Sequence, residues 1–215
     1  MAIMQGFHNR IMFKIDNKKC RDYGATSPKN MESVIAFVFS SIRVQTALLP
    51  RFMREYKRRG LASSWLWGNK KTGLSYVRKH RNQLFKDYQQ ILKSKKGSCE
   101  HDLIMLFLDV PGLGIPKSAF VVQMLTGKSG CMDVHNIRRY LPELANGKGT
   151  PSIFQTSGNS TSLKSKKVNQ YIVACKKAGG SQKMWDAWCN HIAVLQPKHF
   201  LDGEAVSNMH HEVLT

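Results

Sequence analysis

LIMLFLDVPGLGIPKSAFVVQMLTGKSGCMDVHNIRRY, residues 103–140, decides how this chain folds. Residues 103–108 are all apolar, which predicts a helix buried all round. Pro111-Gly112 and Gly114 stop it and permit a tight turn with positive φ. Pro116 suits the first turn of a second helix, where its missing N–H costs nothing, and that helix ends at Gly127. Small residues Ser118 and Ala119 would let two helices approach closely. The Gly-Leu-Gly turn then offers backbone amides beside a helix N-terminus, a ready grip for a phosphate. Asp133 stands in front of a third helical pattern.

The charge says whose phosphate that would be. Thirty-three Lys and Arg against 14 Asp and Glu give +19 and a pI near 10.0. Between residues 33 and 99 the only acids are Glu55 and Asp87, and from 144 to 185 there are lysines and no acid. Such one-sidedness points to a polyanion, most often nucleic acid, although a merely basic soluble protein has the same composition. No apolar run reaches the roughly 18 residues of a membrane span, so no membrane partner is expected. The first ten residues lack the basic-then-apolar order of a signal peptide, which makes an intracellular protein the expectation; a monomer is expected as well. Five cysteines without a CxxC pair predict free thiols rather than disulfides or a clustered metal.

Outward from the hairpin the pattern stays helical. Residues 1–30 read as a short strand or coil and a loop, an N-terminal segment packing on the C-terminal lobe. A core helix is expected from Met31–Ser33 through the apolar run Val34–Phe39. A second runs from Val44 to Arg59, with Arg51, Arg54, Lys57, Arg58 and Arg59 outward. A connector with Trp65 and Trp67 spans 61–72. A basic amphipathic helix over 73–96 buries Leu74, Val77, Leu84, Tyr88 and Leu92. These elements, the hairpin at 103–126 and the Asp133 helix form a core lobe, 31–145. A loop at 146–165 follows, then C-terminal helices and a tail over 166–215. Helices are predicted from Lys166 to Lys177 and from Ser181, the latter with Trp185, Trp188, Ile192 and Leu195 as a core stripe. The expected class is all-α.

Leu108-Asp109-Val110-Pro111-Gly112-Leu113-Gly114, a small-residue helix, then Met132-Asp133-Val134-His135 resembles the helix-hairpin-helix DNA glycosylases of base-excision repair. Val34–Ser40 is similar to the apolar helix that opens that family's core, and the likeness covers residues 31–141. It implies an all-α, two-lobe glycosylase-like fold with double-stranded DNA as partner. It implies Asp133 as the catalytic carboxylate, which stabilises the cationic sugar as the glycosidic bond of a flipped base breaks. Gly112, Leu113 and Gly114 would hold a phosphate, with a monovalent cation admissible there and no other cofactor expected. The intercalating residue would fall at Ile42 or Arg43. His135 would orient Asp133 or touch DNA, unless it is an ordinary helix residue.

Three departures keep alternatives open. The bifunctional members carry a lysine where Pro116 stands; Lys117, one residue on, is either a Schiff-base amine or a surface lysine on DNA. The cysteine ligands of the iron–sulfur members are absent. The flanking text is closer to virus-associated members, which would place the chain in the cytoplasm of a bacterial host of a bacteriophage. Some of those are associated with joining an amino group to an activated 5-hydroxymethyl pyrimidine. The expectation is therefore a DNA N-glycosylase with or without lyase activity, against a base-hypermodifying transferase or a non-catalytic DNA-binding module. Asp133 also suits a plain N-cap. Trp65, Trp67, Phe154 and the 146–165 loop are the candidates for lining a base pocket.

Overall fold

The computed structural model describes residues 25–42, 48–94, 99–145 and 151–193. Their regular structure is entirely helical: α1 (Pro28–Ser40), α2 (Leu49–Arg59), α3 (Gly68–Lys93), α4 (Cys99–Leu108), α5 (Ile115–Thr126), α6 (Val134–Tyr140), α7 (Thr161–Lys177) and α8 (Gly180–Ala193), with short 3-10 turns between some of them. The N-terminal segment up to residue 24, residues 43–47 with Arg43 and the expected helix start at Val44, residues 95–98 and 146–150, the tail from 194 and the side chains of Trp188 and Ile192 lie outside the described residues.

α1 is the hub. Its run Val34–Phe39 is wholly buried, and it packs on α2, α3 and α5. It starts earlier than the sequence predicts, because Ser27 caps it: the Ser27 hydroxyl accepts from the Asn30 amide, with Pro28 just inside. The same device moves α7 forward from Lys166 to Thr161, where Ser160 accepts from the Leu163 amide. α3 begins at Gly68, not 73, and Leu92 at its far end is exposed rather than buried.

α4 and α5 pack against each other across the turn, and α4 also packs on α3 and α7. Ser118 and Ala119 are fully buried. Phe120 of α5 meets Phe37 of α1 with ring centroids 6.2 Å apart. Phe154 is core and not a pocket wall: it is 1% exposed and lies edge-on to Tyr171 at 5.0 Å.

One polar knot ties α1, α2 and α3. Glu32 is buried and accepts from Tyr56 Oη (2.8 Å) and from Arg78 Nε (2.9 Å), with Arg81 at 3.4 Å. Arg78 is thus a structural residue rather than a freely solvated one. Burial and the Glu32 hydrogen bond push the Tyr56 phenol far above its ordinary value, so it stays a donor to the carboxylate.

Candidate functional site

The hairpin turn is pressed against the start of α3. Gly112 has φ +87°, and a Cβ there would lie 3.1 Å from the Asn69 carbonyl oxygen. Leu113 points the other way: its side chain is in the core, and its amide donates to the Val110 carbonyl at 3.1 Å. The Gly114 carbonyl accepts from the Lys117 and Ser118 amides at 3.0 and 2.9 Å, starting α5. Among the described residues the amides of Gly112 and Gly114 meet no acceptor. Any phosphate grip therefore falls to these two glycines, while Leu113 anchors the turn. Gly114 has φ −91°, and a Cβ added to it would meet nothing within 4 Å. The fold itself does not ask for glycine at that position.

Asp133 is the N-cap of α6. Its Oδ1 accepts from the amides of His135 and Asn136, both at 3.0 Å. Its Oδ2 has no partner among the described residues. The loop that delivers it is pinned on three sides. Tyr171 Oη, from α7, donates to the Gly130 carbonyl (2.6 Å) and accepts from the Met132 amide (2.7 Å). Gln123, from α5, accepts from the Cys131 amide at 3.2 Å, and Asn136 Nδ2 donates to the Cys131 carbonyl at 2.7 Å. Gly130 fits because a Cβ would come within 2.8 Å of Met184 Cγ. These bonds fix the backbone for two residues either side of the carboxylate.

Lys117 and Asp133 both act on the Cys131 thiol. The sulfur is buried, which pushes its thiol up to about 11; the Lys117 charge opposes that rise and the Asp133 charge adds to it. The structure thus brings Lys117, Cys131 and Asp133 into one electrostatic neighbourhood, with the thiol protonated at neutral pH and unsuited to nucleophilic attack. Lys117 Nζ donates to Ser41 Oγ at 3.4 Å, at the negative end of α1, and sits 5.6 Å above the Phe120 ring. No carboxylate pairs with it among the described residues.

Lys70 was not singled out by sequence. It is 6% exposed, close enough to Lys117 to feel its charge, and its amine lies 5.8 Å from the Trp65 ring and 5.7 Å from the Trp67 ring. The signal in the sequence was a lysine one turn into a helix directly after a Trp-Leu-Trp connector. Of those tryptophans, Trp65 is core: it stacks on Phe52 at 5.3 Å and donates to the Phe52 carbonyl. Trp67 is 64% exposed.

Ile42 is half-buried against the core at the end of α1, and its candidate neighbour Arg43 lies outside the described residues. The His135 side chain is exposed; its amide, not its imidazole, holds Asp133. A concavity of about 670 Å³ runs along α7, lined by Leu144, Ile153, Val173 and Ala174, and shares no residue with the Lys117–Asp133 cluster. No group of three or more His, Cys, Asp or Glu side chains suited to a metal occurs among the described residues. No helix among them is long and apolar enough to cross a membrane. No family model matches the chain, and no curated protein or solved structure matches it either.

Proposed function

We propose that this chain is a DNA N-glycosylase built as a helix-hairpin-helix, two-lobe enzyme, with Asp133 as its catalytic carboxylate and Lys117 as the amine available for a lyase step. The observation that carries the reading is the state of Asp133. One carboxylate oxygen is held by two amides, the other is open, and the loop behind it is clamped by Tyr171, Gln123 and Asn136. A helix cap needs only the first of these features.

The chemistry follows from that geometry. Double-stranded DNA is gripped through phosphates by the Gly112 and Gly114 amides, and the target base leaves the stack. As the C1′–N bond breaks, its electron pair leaves with the base and positive charge grows on the sugar. The open oxygen of Asp133 stabilises that charge. Water adds to C1′, and its proton ends on the departing base. If the Lys117 amine adds instead, the product is a Schiff base with the opened sugar.

Duplex oligonucleotides carrying a panel of modified bases test this. Asp133→Asn should lower base release about 100- to 1000-fold while DNA affinity stays close to wild type. Full activity in Asp133→Asn, or no release from any substrate, would sink the reading. Mass spectrometry of the same reactions separates the transferase alternative, which adds mass to an activated hydroxymethyl pyrimidine without base loss. Borohydride trapping, lost in Lys117→Met, reports the lyase step.

A further inference from the structure

Lys70 is a largely buried lysine whose amine is faced by two indole rings and is not sealed from solvent. It is the third residue of α3, and Lys117 is the third residue of α5. Neither helix carries an acid in its first turn. A cation near a helix N-terminus faces the positive end of the macrodipole. Lys70 is 6% exposed, and no hydrogen-bond acceptor or carboxylate meets its amine among the described residues. Burial and the neighbouring Lys117 charge both push its amine below the ordinary lysine value. The Trp65 and Trp67 ring faces, at 5.8 and 5.7 Å, offset only part of this. The two helix starts are also brought together physically, since Asn69 of α3 packs on Gly112 of the turn that leads into α5.

A single anion between the two helix starts would offset the like charge of the two amines and the positive ends of both helices. Two ammonium groups on separate stems match the two non-bridging oxygens of a phosphate better than one carboxylate, and helix N-termini supply further donors. The open face of Trp67 beside the amine suits the sugar or base attached to that phosphate. We infer that Lys70 and Lys117, both as ammonium groups, form a phosphate subsite between the first turns of α3 and α5 in the complex before chemistry, so that Lys117 must give up its proton and this contact before any lyase step, and that Lys70, though remote from Asp133 in sequence, belongs to the substrate-holding machinery. The inference rests on the nucleic-acid reading for the phosphate's owner, but not for the subsite. A backbone phosphodiester and a free phosphate group share the chemistry.

The test uses full-length protein and three variants, Lys70→Met, Lys117→Met and the double, with folding checked by circular dichroism. Duplex affinity is measured by anisotropy across a salt series. Each single variant should flatten the slope of log K against log salt by about one, the value for one phosphate lost. The double should lose little more than the larger single, because both amines serve one phosphate. A Lys70→Met protein with wild-type affinity and slope, or strictly additive losses, overturns the subsite.

Single neutral methylphosphonate linkages walked along the duplex identify the source. One position that erases the difference between wild type and Lys70→Met assigns a backbone phosphodiester. If no position does so, the backbone source is overturned. Inorganic pyrophosphate, read through Trp emission, covers the free phosphate. A change in emission that vanishes in Lys70→Met supports the subsite even if the wild type binds no DNA, which would end the nucleic-acid reading alone. No response to pyrophosphate and no DNA binding overturns both.

Discussion

At the scale of the residue, Gly114 separates folding from function. Its backbone is ordinary extended geometry and its Cβ position is empty, so alanine fits the fold. Replacing glycine where no strain results trims the entropy of the unfolded chain. Gly114→Ala should therefore leave the melting temperature unchanged or raise it, with a gain of up to about 1 kcal/mol. If the turn holds a phosphate, the added methyl group intrudes on that approach, and duplex affinity should fall about tenfold or more. Parallel melting and anisotropy curves check this; equal affinity would remove the hairpin from the interface. Gly112 cannot serve the same test, since φ +87° and the Asn69 carbonyl make any side chain there a folding defect.

At the scale of the element, α7 acts on the site without touching it. Tyr171 is fully buried, and burial raises its phenol well above the ordinary value, so it remains both donor and acceptor for the Gly130–Met132 loop. Tyr171→Phe keeps the ring and removes both bonds. The Met132 amide and Gly130 carbonyl then keep only the 3.0 Å bond they make to each other, and the two lost bonds cost about 0.5–1.5 kcal/mol each. The loop then no longer fixes Asp133, so kcat for base release should fall while KM and duplex affinity hold. A loss confined to stability, with kcat intact, would show that Tyr171 holds the fold and not the carboxylate. Gln123 performs the same work from α5, donating onward to the Ser181 carbonyl at 2.8 Å.

For the whole molecule, pH reports how the core is filled. The Cys131 thiol is raised by burial to about 11 and Cys175 to about 12, from an ordinary 9.0. Between those values the unfolded chain has lost these protons and the folded chain keeps them. Stability therefore falls as pH rises from about 9, by up to about 1.4 kcal/mol per pH unit for each thiol. Lys70 works in the opposite sense, since its lowered value makes the unfolded chain the better proton binder just below 10.5. Comparing wild type with Cys131→Ala/Cys175→Ala isolates the thiols: the alkaline slope of denaturant-derived stability should flatten in the variant. An unchanged slope would mean that these sulfurs are not desolvated. The +19 charge predicts steep salt dependence for any nucleic-acid binding.

The helical class and the turn between α4 and α5 were legible in the sequence because each is a local rule. An unbroken apolar run, Pro111-Gly112, Gly114 and an acid before a helical pattern act through backbone geometry within a few residues. Helix starts at Pro28 and Thr161 are written locally too, in the capping hydroxyls of Ser27 and Ser160. Other features were not local. That Leu113 and Phe154 face the core, that Arg78 serves Glu32, that Tyr171 clamps a loop from α7, and that Lys70 feels the Lys117 charge depend on which helices meet. A lysine at position 70 reads as one more surface charge until α3 is laid against the hairpin. The chain alone therefore determined its helices, its turn and its charge. Tertiary packing decided which charges were left without partners, because burial and pairing are properties of neighbours brought together from distant parts of the sequence.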